Sequence, residues 1–418
     1  MVNCQCLIFI MKNKRNILFI NHSIKHGGPG KSLFYILKYL DRSKLNPFIL
    51  IPEDDVFSND LKKEGIYENI IIDKRFPENL MRPRLGFKWD SNDSKLKYRF
   101  FISILINIFD LIFLVFTSRS IIKTNKIDLI YCNGTVAKIT GAFIGLLNWK
   151  PVIWHVRNIQ LKCPMIFTMN LLSLLPVIKK IICVSIPTAS QFRYSFNKTV
   201  VINNGVDIID FNSRKIKSEL RQEYEIKDEE IIIGTTGRIV PRKKYEILID
   251  IANALKAENN DLFRKLKFVI IGNTPYYFRI NQLEVLIELV KENNLSDKFI
   301  FTGYKDDIRS YLKDFDIFVL TSDYPDPFPR SVIEAMALSK PVIGFSIGGI
   351  TESVENNTNG YLCSPGNNKE MTTKIVELMR SKNKRLKMGR EGRKRIENLY
   401  LAKDRAKDIE KEIINNLS

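Results

Sequence analysis

The chain reads as α/β, built from two Rossmann-like, doubly wound domains. Short apolar runs alternate with helix-length amphipathic stretches along most of its length, the pattern of parallel strands covered on both faces by crossover helices. The pattern breaks off in a polar, charged stretch at 212–230 and then restarts, so two sheets are expected with a boundary near Asp210. A length of 418 residues agrees, because single cores stop growing near roughly 300 residues.

In the first half, residues 16–21 form a buried strand, followed by a loop over 22–30 and a helix over 31–40. Further strands are expected at 47–51, 70–72, 128–132, 152–155, 181–185 and from Val200. The run Gly27-Gly28-Pro29-Gly30-Lys31-Ser32 offers backbone that a phosphate can approach closely. It misses the P-loop pattern because Lys25 stands where the first glycine belongs, which leaves a P-loop-like ATPase as a minor alternative beside a plain packing turn. His155 closes a strand, where side chains reach the crevice of an open sheet, and Arg157 follows it. A structural, hydrogen-bonded histidine is the other reading.

Residues 76–98 mix prolines, cations and aromatics without period, as a long loop for an acceptor or a membrane surface would. Residues 101–116 are the most apolar stretch, broken by Asn107 and Asp110 and shorter than a membrane span. The cations Lys95, Lys97, Arg99, Arg119 and Lys123 flank it. Both an interfacial helix on anionic lipid and an ordinary core helix fit.

The second half opens with a strand at 231–236. Arg238 and Lys243 then bracket a turn, a planar fork and a mobile point charge suited to phosphate oxygens or, alternatively, to a solvated basic surface. Strands at 268–272, 299–303 and 316–320 follow. The last runs into the Pro-rich loop at 321–329 and a helix opening at Ser331, whose free N–H groups would favour an anion. Asp326 and Glu334 frame this loop, although Ser331-x-x-Glu334 is equally a capping box.

Composition bounds the chemistry. With 65 basic and 46 acidic residues the net charge is +19, which favours anionic partners (nucleic acid, diphosphates, an anionic membrane face) or a generally basic solvated surface. The six cysteines contain no Cys-x-x-Cys pair, so buried thiols in a reducing compartment are expected. Three histidines without Cys or carboxylates at ligand spacing argue against zinc. Residues 1–10 lack a basic leader and a cleavage site. They are read as an extension outside the fold rather than a signal peptide, with Met11 a second candidate start.

The 321–337 stretch resembles the acidic signature of retaining glycosyltransferases of family four, a GT-B, group 1 type family, in which two Glu residues flank a Gly-Phe-Gly type loop. Glu334 matches the second Glu and Phe328 the Phe; Asp326 replaces the first Glu, and Pro327 and Pro329 the glycines. Gly27-Gly28, His155-Val156-Arg157-Asn158, Asn204-Gly205-Val206-Asp207, Gly237-Arg238 with Lys243, Gly348-Gly349 and the helices over 369–416 resemble further motifs in the family's order. In the basic turn, Lys244 stands in place of the usual Gly. Asp314-Phe315-Asp316 superficially matches the metal motif of the other main transferase fold, but it opens a buried strand and is read as structural.

The resemblance implies two domains facing a central cleft: an acceptor-side domain over 11–210, a nucleotide-sugar-binding domain over 211–385 and closing helices over 386–418. It implies a retaining, metal-independent transfer of sugar from a nucleotide diphosphate sugar to an acceptor hydroxyl, with no cofactor beyond the donor. Donor contacts carry over to Gly28, Gly237, Arg238, Lys243, Phe328, Ser331, Val332 and Glu334. Arg238, Lys243 and the N–H groups of Ser331 and Val332 would stabilise the leaving diphosphate, and Glu334 would hold the ribose. His155 and Asp326 would orient the transferred sugar, with His155 and Arg157 on the acceptor side. The expected partners are the donor, a saccharide or lipid-linked saccharide of cell-surface polysaccharide or glycolipid assembly, and peripherally an anionic membrane, with no nucleic acid. The expected location is cytoplasmic, peripheral on the inner face of the cell membrane. A non-catalytic nucleotide-sugar-binding protein is the alternative, given the Asp and Pro departures.

Overall fold

The computed structural model describes residues 14–22, 27–67, 69–77, 96–161, 163–276 and 278–417. The amino-terminal extension, Cys4, Cys6, Lys25, His26 and most of the 76–98 loop lie outside the described residues. The chain divides into two compact units: unit 1 is Met1–Gly205 with Ala402–Ser418, and unit 2 is Val206–Leu401.

Among the described residues, unit 1 holds seven parallel strands in the order β3-β2-β1-β4-β5-β6-β7. They are β1 (Arg15–Asn21), β2 (Leu45–Ile51), β3 (Ile70–Ile72), β4 (Leu129–Asn133), β5 (Val152–Val156), β6 (Ile178–Cys183) and β7 (Thr199–Val201). Ile17, Leu18, Phe19 and Ile20 are all fully buried, as a strand covered on both faces must be. One face packs under α1 (Gly28–Tyr39), α2 (Val56–Lys63) and the carboxyl-terminal helix, through Leu33, Phe57 and Ile409. The other packs under α3 (Leu96–Thr124), α4 (Thr135–Asn148) and α5 (Cys163–Ser173), through Leu114, Ile144 and Met169.

Three expectations change here. α1 opens at Gly28, with Pro29 in its first turn, where a missing N–H costs nothing, and the Lys31 N–H donates to the Gly27 carbonyl at 3.1 Å. The glycines from 28 to 30 are therefore helix rather than a loop wrapped round a phosphate, which removes the geometric basis of the P-loop reading. α3 is 29 residues long, and its Phe100–Thr124 portion is long and apolar enough to cross a membrane by length and composition. The apolar pattern continues through Thr117 and Ser118 to Ile121 and Ile122, past the break assumed from sequence. Among the described cysteines, Cys132, Cys183 and Cys363 are buried thiols, whereas Cys163 at the start of α5 is exposed.

Among the described residues, unit 2 holds six parallel strands in the order β10-β9-β8-β11-β12-β13. They are β8 (Ile231–Thr236), β9 (Leu266–Ile271), β10 (Phe299–Gly303), β11 (Ile317–Leu320), β12 (Val342–Phe345) and β13 (Gly360–Cys363). Its helices include α6 (Glu246–Glu258), α7 (Gln282–Glu292), α8 (Arg330–Ala337), α9 (Asn368–Arg380) and α10 (Lys382–Leu399); α11 (Ala402–Asn415) belongs to unit 1. The units part at 205/206 and 401/402, against the expected 210/211 and 385/386. α10 stays with unit 2 because Arg385 donates to the Leu378 carbonyl at 2.7 Å and Arg393 to the Ala337 carbonyl at 2.6 Å. Asp314 and Asp316 are structural ties: Asp314 accepts from Ser218 at 2.5 Å, and Asp316 from the Ile232 N–H at 2.9 Å.

Candidate active site

Open α/β sheets bind ligands outside the carboxyl ends of their strands, where the strand order reverses. In unit 2 the reversal lies between β8 and β11, and the loops leaving these strands carry most of the predicted donor residues. Thr321 donates to the Lys243 carbonyl at 2.6 Å and Ser322 to the Arg242 carbonyl at 3.2 Å, while the Arg242 guanidinium lies 5.0 Å from the Tyr324 ring centre. The two loops are thereby fastened together. Their contact places the Lys243 ammonium 2.6 Å from the Asp326 carboxylate, both largely withdrawn from water.

Local backbone explains the residue types. Lys244 stands at the position that normally holds Gly and adopts the left-handed conformation, φ +51°, at a cost of about 1 kcal/mol. Gly237 has φ +146°, and a β-carbon on Gly272 would sit 1.9 Å from its carbonyl, so both positions exclude side chains. Beneath Gly237 lies Tyr245, buried, whose phenol is held protonated by burial first and by the Asp326 charge second. Arg238 is exposed on the rim.

α8 is capped at Pro329 without a side-chain hydrogen bond, so Ser331-x-x-Glu334 is not a capping box. Glu334 is buried and accepts from Arg330 one helical turn back, at 3.2 Å. The Val332 N–H donates to the Pro329 carbonyl at 3.2 Å and is not available to a ligand as expected, whereas the Ser331 N–H has no such bond among the described residues. Phe328, expected at the donor, is buried against Tyr400 with ring centres 5.4 Å apart; its ring anchors the loop. The loop also leans on Gly348 and Gly349. The Gly349 N–H donates to the Asp326 carbonyl at 2.8 Å, and a β-carbon there would lie 1.9 Å from the Pro327 carbonyl. Pro325, Pro327 and Pro329 fix φ through this segment, while the two glycines give it room.

Unit 1 reverses between β1 and β4. The His22 ring fits over Gly134, whose φ is +102° and whose added β-carbon would lie 2.0 Å from the ring. His22 Nδ1 lies 3.3 Å from the Asn133 carbonyl, and burial, reinforced by Lys138, lowers the His22 pKa to about 4. Asn133 donates to Asn21 at 2.9 Å and to the Pro29 carbonyl at 3.1 Å, tying in the first turn of α1 beside Gly28. It accepts from Arg157 at 2.6 Å, and Arg157 also donates to Asn204 at 2.5 Å.

His155 is buried, and its Nδ1 faces both the Tyr131 hydroxyl and, at 3.2 Å, the Arg157 guanidinium. A guanidinium can only donate, so Nδ1 accepts and the hydrogen of the neutral ring lies on Nε2. Burial, with Arg157 and Lys138 adding to it, holds the ring neutral. Nε2 is thus a buried donor, and no partner satisfies it among the described residues.

The structure brings Gly237, Lys243 and Asp326 together in unit 2, with Ser331 and Glu334 on the adjoining helix, and His155, Arg157 and the Gly28 turn together in unit 1. Sequence reasoning missed Tyr131, Asn133, Asn204, Tyr245 and Arg330. Asn204 lay inside a motif that resembled the family's but was given no role at the site. Tyr131 and Asn133 share one side of β4 two residues apart, a signal that was present. Arg330 directly precedes the predicted helix, while nothing local marked Tyr245.

Residues 216–395 match the family described as Glycosyl transferases group 1. The poly(ribitol-phosphate) alpha-N-acetylglucosaminyltransferase of Staphylococcus aureus is 32% identical over 151 residues, 36% of this chain and 28% of that protein. The capsular polysaccharide biosynthesis glycosyltransferase CapM of the same species is 24% identical over 278 residues, 63% of this chain and 70% of that protein. Matches to three curated relatives span 28%, 44% and 65% of their lengths. Among solved structures, Anabaena Alr3699/HepE in complex with UDP and glucose superposes with a TM-score of 0.75 at 21% identity, covering 95% of this chain and 98% of that one. Residues 216–395, the stretch holding Lys243, Asp326 and Glu334, thus match the glycosyl transferases group 1 family, and the fold is GT-B.

Proposed function

We propose that the chain is a retaining, metal-independent glycosyltransferase that moves a sugar from a nucleotide diphosphate sugar to an acceptor hydroxyl. The observation that carries this reading is the pairing of Lys243 with Asp326 across the two loops at the β8–β11 reversal, beside the buried Glu334 that Arg330 holds. Arg238 and Lys243 supply the positive charge that meets the diphosphate as it leaves, aided by the Ser331 N–H and the dipole of α8. Glu334, steadied by Arg330, accepts from the ribose hydroxyls. Asp326, held by Lys243, accepts from a hydroxyl of the transferred sugar, and His155 donates to that sugar through Nε2–H. Arg157 serves the acceptor, and the departing phosphate takes the acceptor's proton.

The acceptor on this reading is a saccharide or lipid-linked saccharide of cell-surface polysaccharide or glycolipid assembly, and the chain works in the cytoplasm at the inner face of the membrane. Support comes from the family match and from the surface-polymer names of the relatives.

The test is release of nucleotide diphosphate from a panel of UDP-, GDP- and ADP-sugars, with membrane extract as acceptor source and with and without EDTA. Release from one donor that survives EDTA and is lost in Glu334→Ala is expected, with the product anomer matching the donor's. Binding without release under every condition would favour the non-catalytic nucleotide-sugar binder. Release abolished by EDTA would overturn metal independence.

A further inference from the structure

We propose that unit 1 docks on an anionic lipid surface through the outward face of α3. The helix meets the unit 1 core along one stripe: Asn107, Leu111, Leu114, Ser118 and Ile122 are buried, at spacings of one helix face. Around the rest of its circumference, the exposed residues between Phe100 and Ser118 are Phe101, Leu105, Ile106, Ile108, Phe109, Ile112, Phe113 and Phe116. Every one is Phe, Leu or Ile. The sole charged residue of that stretch, Asp110, lies beside the packed stripe and is partly buried.

A solvated helix turns polar groups outward. Eight large apolar side chains at about half exposure present on the order of 700 Å² instead, beyond the few hundred that soluble monomers usually show. α5, in the same layer over the sheet, adds exposed Phe167 and Leu171.

Charge selects the occupant. Exposed Arg119 and Lys123 follow the apolar face, in a chain whose net charge is +19. A second copy of the chain would bring these cations against their like, whereas anionic headgroups neutralise them. Crossing the bilayer would strip Leu114 and Ile122 from the core they share with β4 and α4, so α3 lies in the interface plane.

Orientation adds a purpose. α3 leads into the start of β4 and so runs against the strands, and at 29 residues, about 43 Å, it outreaches the five-residue β4 by more than 20 Å. Its amino-terminal part projects at the strands' carboxyl ends, the rim that carries His155 and Arg157. That purpose, delivery of a lipid-linked acceptor, rests on the proposed function; the docking does not.

The test is sedimentation of the full chain with phosphatidylcholine vesicles containing 30 mol% phosphatidylglycerol, and with pure phosphatidylcholine vesicles. Wild type is expected to bind the anionic vesicles at least tenfold more tightly. Phe109→Glu/Phe116→Glu should lose that binding, and Arg119→Glu/Lys123→Glu should weaken it severalfold, with melting temperatures unchanged. Equal binding of wild type and both variants overturns the proposal. So does a doubled solution mass abolished by Phe109→Glu/Phe116→Glu, which would assign the face to a second copy, or resistance to carbonate extraction from cell membranes, which would make α3 a span. UDP, GDP and ADP titrated calorimetrically into the same samples separate the readings: absent binding of all three with intact vesicle binding counts against the transferase and leaves the docking surface standing.

Discussion

Units 1 and 2 each end their parallel strands in a crevice where the order reverses, at β1/β4 in one and β8/β11 in the other. In unit 2 the crevice is walled by ion pairs, Lys243 with Asp326 and Arg330 with Glu334. In unit 1 it is walled by amides and neutral rings: Asn21, Asn133, Asn204, His22 and His155, with Arg157 spending its donors on them. One architecture thus carries two chemistries. Fixed charges suit a diphosphate, while neutral groups of defined donor and acceptor sense suit hydroxyls, whose position matters more than their charge. The chain's three histidines all belong to unit 1, so its response to acid should be one-sided as well.

The sharpest break would come from unit 2's charges. Lys243→Ala and Arg238→Ala are each expected to lower donor turnover by 10² to 10³, roughly 3–4 kcal/mol of stabilisation of the leaving group, while unit 1's stability is untouched. Adding Asp326→Ala to Lys243→Ala should cost far less than the two single losses combined, because the two side chains act as a pair. Full turnover in Lys243→Ala would end the assignment of charge chemistry to unit 2.

A pair of glycine substitutions sharpens the contrast at smaller effect. Gly349→Ala forces the Asp326 loop aside and should weaken binding of the donor's nucleotide diphosphate by at least tenfold in a calorimetric titration. Gly134→Ala, at φ +102° and against the His22 ring, should leave that binding alone and destabilise unit 1 by about 2–3 kcal/mol.

The acid response comes next. His22 titrates near 6.5 when unfolded and about 4 when folded, so between these values the unfolded chain binds the extra proton. Stability is full above about pH 6.5 and falls as pH drops towards 4, by up to about 3 kcal/mol, with His155 adding in the same sense. Hydrogen exchange at pH 6.5 and 4.5 should show unit 1 amides opening while unit 2 amides hold. Equal loosening of both would erase the distinction. Smallest of all, Tyr131→Phe should cost about 1 kcal/mol, since Arg157 still donates to His155 Nδ1.

The strands were legible because a strand buried on both faces must be apolar throughout; Ile70–Ile72 and Phe299–Gly303 match residue for residue. β13 opens on Gly360 and continues with Tyr361, Leu362 and Cys363, none of them β-branched, so it did not stand out. The start of α1 was readable from Pro29 and was missed by treating the glycines as a loop. The Lys243–Asp326 contact was not readable at all, because it joins positions 83 residues apart and depends on two separate loops being pinned together. The same holds for α3. A helix apolar on every side fits a deep core or an exposed face equally, and only its neighbours decide.

The chain enters unit 2 at Val206 and leaves it at Leu401, and these residues pair, with the Val206 N–H donating to the Tyr400 carbonyl at 2.8 Å. Unit 2 is therefore one uninterrupted insertion whose two ends are already joined, and all of its residues have been made once Leu401 is. Unit 1 must wait. Its first two hundred residues leave the ribosome without Ile409 and Ile413, which close the core beside Leu33 and Ile36. During synthesis, the half of the protein translated first is the half completed last.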